Sequence, residues 1–199
     1  MNIYLLRHGE TDWNTAGRLQ GHVDIPLNQN GIQQIECVAS TLAELNPCID
    51  IIISSPLLRA QKSAEIVAEK LNLRKTDIMT EPLFIERSFG IGEGMIWKEA
   101  NEKFGVGNFP GMEPWEKLLQ RAKTAFNQTA AKYEGHNILI LSHGAILAAV
   151  AAAITNRQIT SESDIVPFEQ GSIYLAKTEG SSVEMLKYVP KEEKFVTIA

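Results

Sequence analysis

The sequence predicts an α/β fold: a three-layer α/β/α sandwich around a mostly parallel central sheet, with a lid inserted over one edge. Three observations carry that prediction. Short runs of strand formers alternate along the chain with segments of helical period. The strand candidates are apolar throughout instead of alternating, as in strands covered on both faces. Three of these runs end in groups suited to phosphate chemistry, and in open α/β sheets ligands gather beyond the carboxyl ends of strands.

The first strand is Asn2-Ile3-Tyr4-Leu5-Leu6, which Gly9 breaks, leaving Arg7 and His8 on its carboxyl end. From Gly31 to Leu45, Ile32, Ile35, Val38, Leu42 and Leu45 recur at helical spacing, and Asn46-Pro47 ends that helix. A second strand, Ile49 to Ser54, runs into Ser55-Pro56, read as an N-cap with proline in the first helical position. The helix that follows carries Leu57, Ala60, Ala64, Val67 and Leu71 on one side and Arg59 in its first turn. Residues 81–114 hold Phe84, Phe89, Trp97, Phe104 and Phe109 with little periodicity beyond a short helix near Trp97 to Phe104, and read as the lid. A helix from about Trp115 to Tyr133 leads to a strand at Asn137 to Leu141. The apolar run from Ile138 to Ile154 is split by Ser142-His143-Gly144 into that strand and an alanine-rich helix, and so is not a membrane span. Ser172 to Lys177 and Val183 to Val189 form a closing pair of strands around Gly180.

Bulk properties fit one domain over residues 1–199, with a mass of 22.0 kDa. The net charge of -5, with no lysine- or arginine-dense stretch, argues against nucleic acid as a partner. Cys37 and Cys48 fall in no close-spaced metal or redox pattern. They read as free thiols in a reducing compartment, and with no signal-like amino terminus the expected location is the cytoplasm.

If the sheet is parallel where these runs lie, its strand ends bring Arg7-His8, Ser54-Ser55 with Arg59, and Ser142-His143 to one edge. Arginine offers a permanently charged fork that matches two phosphoryl oxygens. A neutral imidazole can attack phosphorus, and neighbouring guanidinium charge lowers its pKa, which keeps it unprotonated. Two arginines and two histidines make a cationic phosphate cradle.

Arg7-His8-Gly9-Glu10-Thr11, Ser54-Ser55-Pro56-Leu57-Leu58-Arg59-Ala60 and Ser142-His143-Gly144 resemble, in order and spacing, the three signatures of the histidine phosphatase superfamily, the phosphoglycerate mutase-like proteins. Asn14, Arg18-Leu19-Gln20-Gly21, Asp24-Ile25-Pro26-Leu27 with Gly31, and Glu86-Arg87-Ser88-Phe89-Gly90 match as well, so the likeness covers residues 1 to about 150. It implies that His8 is a nucleophile that becomes a phosphohistidine, and that Arg7, Arg59 and His143 grip the phosphoryl oxygens. Glu86 would be the acid and then the base, in an aromatic, apolar setting supplied by the lid. Asn14, Gln20 and Gly21 would line the phosphate or substrate pocket. Glu10 would orient the His8 loop, while His22 and His136 have no matching role and read as exposed loop residues. No cofactor is implied, and no metal, since no cluster of His and Asp at ligand spacing is present.

The family holds phosphatases and cofactor-dependent mutases. The absence of arginine between Gly90 and Lys117 favours hydrolysis of a small phosphorylated metabolite, because mutases carry an arginine pair there for the substrate carboxylate. The Glu86-Arg87-Ser88-Phe89-Gly90 motif is similar to the mutase version, and Arg87 could serve such a carboxylate, so the mutase stands as the alternative. A non-catalytic phosphate-binding module would need neither His8 nor Glu86. Many family phosphatases have Trp-Glu-Gly where Gly92-Glu93-Gly94 stands, and Gly-Glu-Ser at Gly111 to Pro114; both departures fall in the lid.

Overall fold

The computed structural model describes residues 1–155, 166–179 and 182–198. Seven strands form one sheet: β1 (Asn2–Arg7), β2 (Ile51–Ser54), β3 (Ile78–Thr80), β4 (Ile138–Ser142), β5 (Ile173–Glu179), β6 (Ser182–Val189) and β7 (Lys194–Thr197). Their order is β3-β2-β4-β1-β5-β6-β7. The first four in that order pair in parallel, and β5, β6 and β7 extend the sheet in antiparallel fashion. The core of the sheet is therefore parallel, as expected, and its far flank is mixed. Strands β5 and β6 pair as the sequence indicates; Gly180 lies outside the described residues.

The helices are α1 (Asp12–Thr15), α2 (Gln29–Leu45), α3 (Leu58–Lys70), α4 (Trp97–Phe104), α5 (Trp115–Lys132) and α6 (Gly144–Ile154). Alternate residues of the central strands feed two separate cores, which explains why those strands lack polar alternation. Ile3, Leu5, Ile53, Ile138 and Ile140 pack with Leu118, Ala122 and Phe126 of α5 and with α6. Tyr4, Leu6, Ile52, Leu139 and Leu141 pack on the other face with Ile35, Val38 and Leu42 of α2 and Ala60, Ala64 and Val67 of α3. Each fully buried aliphatic side chain contributes roughly 1.5–3 kcal/mol. These two apolar layers fix the register that sets the strand ends.

Two expectations are corrected. Helix α3 begins at Leu58 with Leu57 in the cap position and no cap from its own side chain. Its Leu58 N–H donates instead to Asp24 Oδ1, 2.8 Å away, from a distant loop. Ser55 is not the cap: its hydroxyl accepts from Leu57 N–H (3.4 Å), in the turn before the helix, and from His143 Nε2. Strand β2 starts at Ile51, later than the apolar run implies, because Asp50 is tied to Asn137 instead. The short elements β3, β7 and α1 carry too few residues for a periodic signal.

Residues 81–114 divide in two. The first part is tied to the strand ends: Glu81 N–H donates to Ser54 O (2.9 Å) and Ser142 Oγ to Phe84 O (2.6 Å). The second part builds a small core of its own, Leu19, Ala100 and Phe109 with Phe89, Met95, Phe104 and Met112. Among the described residues no helix is long and apolar enough to cross a membrane.

Candidate active site

Strand β1 delivers His8 by continuing its ladder for one more residue, His8 N–H donating to Ser142 O at 2.9 Å. The imidazole is buried. Its Nδ1 lies 2.6 Å from the Gly9 carbonyl oxygen and donates its proton there, which leaves the lone pair on Nε2. Burial, then the charge of Arg59, then that of Arg7 hold its pKa well below the ordinary 6.5. The expected neutral imidazole is present, and burial outweighs the guanidinium charge as its cause.

The loop after His8 is held by a close backbone approach. A Cβ on Gly9 would overlap the Gly31 carbonyl oxygen, and one on Gly31 would overlap the Glu10 backbone, so neither position has room for a side chain. Glu10 orients the loop as expected: its Oε1 accepts from Asn28 Nδ2 at 3.0 Å and its carbonyl from Asn28 N–H at 3.0 Å.

Arg59 is 1% exposed. It donates from Nε to His143 Nδ1 (3.2 Å), from Nη1 to Val23 O (2.9 Å) and from Nη2 to Gly21 O (2.8 Å). His143 Nδ1 is thus an acceptor, and its Nε2 donates to Ser55 Oγ at 2.7 Å, the neutral tautomer. Burial and then Arg59 lower the His143 pKa well below 6.5. The two imidazoles stand edge to face, 5.0 Å between centroids. Arg7 donates from Nη1 to Phe168 O at 3.1 Å.

Glu86 stands at the amino end of α6, not in the apolar setting the sequence implies. Its Oε1 accepts from Arg87 N–H (2.9 Å) and Ile146 N–H (3.2 Å), and its Oε2 from Ala145 N–H (3.4 Å). Burial lowers the pKa of Arg7 and of Arg59, and the field of Glu86 opposes that shift at both. The cationic edge therefore has an acidic neighbour of its own.

A cavity of about 280 Å³ is lined by Arg7, His8, Asn14, Gln20, Gly21, Arg59 and Glu86, together with Arg18 and Phe89. Seven of the nine expected site residues meet there. His143 lies fully buried behind it, and Arg87 lines an adjoining cavity. Among the described residues two buried side-chain atoms lack a hydrogen-bond partner, Arg7 Nε and Gln20 Oε1. Asn14 Oδ1 accepts from Thr11 N–H (3.1 Å) and Gln170 Nε2 (3.0 Å). Gly21 has a left-handed φ of 51°, and a Cβ there would overlap the Glu93 carboxylate. No group of three or more His, Cys, Asp or Glu able to hold a metal ion occurs among the described residues.

Three residues whose roles the sequence did not reveal, Arg121, Glu93 and His22, hold the Glu86 side of the site. Arg121 donates from Nη1 to the carbonyls of Leu83 (2.7 Å) and Ile85 (2.8 Å) and from Nη2 to that of Glu86 (3.3 Å). Its Nε and Nη2 also bind Glu113 Oε1 and Oε2, at 2.9 and 2.8 Å. Leu118, Arg121 and Ala125 share a helical stripe that is otherwise buried, so an arginine in that stripe was the available signal. Glu93 Oε1 accepts from the backbone N–H groups of His22 (3.2 Å) and Phe89 (3.0 Å) and so ties two loops together. His22 is exposed as expected but is not idle: its Nε2 donates to Glu86 O at 2.8 Å. Arg18 lines the cavity and donates to Gly94 O at 2.6 Å.

The sequence model of the Histidine phosphatase superfamily (branch 1) matches residues 3–189. The chain is 36% identical over 153 residues, 77% of either chain, to an uncharacterized phosphatase PhoE of Bacillus subtilis. It is 33% identical to a metal-independent phosphoserine phosphatase of Arabidopsis thaliana, over 77% of this chain and 68% of that one. The structure of Bacillus stearothermophilus YhfR superposes with a TM-score of 0.79 at 25% identity, covering 92% of this chain and 93% of that one.

Proposed function

The chain belongs to branch 1 of the histidine phosphatase superfamily and is a phosphatase; we propose that it hydrolyses small phosphomonoesters without a metal ion, in two steps through a phosphohistidine at His8. The observation that carries this reading is the pairing of a bare His8 Nε2 lone pair with the unpartnered Arg7 Nε on one cavity wall. A buried guanidinium N–H without a partner is costly, and a phosphoryl oxygen satisfies it.

In the first step His8 Nε2 attacks phosphorus while the bond to the ester oxygen breaks. That oxygen takes a proton from Glu86, which enters the step as the acid. The Gly9 carbonyl stabilises the charge on the ring through Nδ1–H. Arg7 and Arg59 stabilise the phosphoryl oxygens, and His143, kept neutral by burial and then by Arg59, accepts from that guanidinium and helps hold it in place. In the second step water attacks the phosphohistidine, Glu86 takes its proton, the P–N bond breaks and phosphate leaves. Asn14, Gln20 and Gly21 border the phosphate, and residues 81–114 act as the lid of a single domain. The metal-independent relative acts on phosphoserine, a small phosphorylated metabolite, and the exposed, free Cys37 and Cys48 fit the cytoplasm.

Phosphate release from a panel of phosphomonoesters, with and without chelator, tests this reading. Release is expected to be insensitive to chelator and lost in His8→Ala; retained turnover in that variant removes the covalent route. The second reading, a phosphoglycerate mutase, draws on Arg87 beside the cavity. Interconversion of phosphoglycerates in the presence of the bisphosphate cofactor, with little release, would establish it.

A further inference from the structure

A larger cavity of about 360 Å³ adjoins the phosphate cavity, and the two share Arg7, Phe89, Gly144 and Ala145 as lining. Its remaining walls are Trp97, Trp115, Pro167, Phe168 and Arg87. We propose that this second cavity seats the alcohol half of the substrate, and that this half is an uncharged, flat, apolar group of one or two aromatic rings. The proposal rests on the phosphomonoesterase reading and specifies its substrate class.

Three observations carry it. First, the cavity joins the phosphate site along the wall formed by Gly144 and Ala145, the start of α6 where Glu86 is held, so a leaving oxygen beside Glu86 has its carbon skeleton directed there. Second, apart from the two arginines, every wall residue has an apolar or aromatic side chain or none. A sugar or glycerol skeleton would bury hydroxyls with few partners, which costs binding. Arg87 does not restore a carboxylate site by itself: its guanidinium stacks 4.3 Å over the Trp115 ring and its Nε donates to Glu113 O at 2.8 Å. Third, the size and edges suit rings. A cavity of about 150 Å³ holds one benzene, and this one has more than twice that volume. Trp97, 36% exposed, stands edge-on to Phe89 (6.5 Å) and Phe109 (5.8 Å), an aromatic mouth left half-open to solvent.

The test must separate fit from leaving-group chemistry, because phenols leave more easily than alcohols. Alkyl esters with similar leaving oxygens make that separation: 2-phenylethyl phosphate, glycerol 1-phosphate and 3-phosphoglycerate. The expected result is a kcat/KM for 2-phenylethyl phosphate about tenfold or more above both others, with the ratio falling about fivefold in Trp97→Ala. Hydrolysis of all three with glycerol phosphate or phosphoglycerate ahead overturns the inference and leaves the phosphatase reading standing, as does a ratio indifferent to Trp97→Ala. No release from any ester overturns both.

Discussion

The phosphoryl end of the site and the leaving-group end are held in different ways. At the first, His8, Arg59 and His143 stand on or just after strand ends whose register two apolar cores dictate, and the one tight turn between them is fixed by backbone against backbone at Gly9 and Gly31. At the second, Glu86 and Arg87 belong to no strand or helix. The Glu86 carboxylate rests on N–H groups of α6, but the loop that carries both residues is tied by side chains from elsewhere, Arg121 from α5 and His22 and Glu93 from loops. Phosphate chemistry is thus built into the backbone, whereas what leaves with the phosphate is governed by replaceable ties. On the proposed mechanism, variation in the second region is expected to alter which ester is cleaved, and variation in the first whether any is.

The contrast is sharpest in His8→Ala, for which turnover of every phosphomonoester is expected to fall by at least about 10⁴-fold with an unchanged far-UV circular dichroism spectrum. Substrate-selective residual activity would break the distinction. Next comes Arg121→Lys, which keeps the charge but loses the fork on the Leu83, Ile85 and Glu86 carbonyls. A misplaced proton donor harms esters of poor leaving groups most. The expectation is a loss in kcat/KM of about 10–100-fold for 2-phenylethyl phosphate and less than about threefold for p-nitrophenyl phosphate, whose phenolate needs no proton. Equal losses on both would mean that Arg121 only stabilises the fold.

Gly31→Ala, on the backbone-held side, should cost about 1–3 kcal/mol in denaturant unfolding as the new methyl group presses on the Glu10 backbone. The smallest effect concerns pH. The native pKa of His8 lies well below 6.5, so the folded protein resists the proton that the unfolded chain accepts. Any stability linked to this group is fully present above about pH 6.5 and declines as pH falls below it. The matching kinetic expectation is that the acid limb of kcat/KM contributed by the nucleophile falls below pH 6.5; a limb centred at 6.5 would mean an ordinary, solvated imidazole.

The same division decided what could be read in advance. His8, Arg59 and His143 follow apolar runs, and the parallel core that gathers them follows from strands with no polar alternation, so spacing alone places them at one edge. Glu86 was recognisable only through the family motif around it, and its setting at the amino end of α6 was not, because the two segments are separated by a long stretch of chain. Ser55 was misread for a related reason. Local propensity makes Ser-Pro a helix cap, but the hydroxyl is drawn to His143 and Asp24 caps the helix from a distance. Glu93 and His22 act through carbonyls and N–H groups, which leave no trace in side-chain pattern, whereas Arg121 left one, a charge in an otherwise buried helical stripe.

The sheet ends in strands of three and four residues, β3 and β7, the latter beginning at Lys194. Unpaired strand edges invite other chains to add on, and short edges and lysine discourage it. The apolar strands that lead to the site, β2, β4 and β1, all lie inside the order, each paired on both sides. A crowded solution of this protein therefore meets little open ladder on which aggregation could start, and the segments most prone to it are the ones least available.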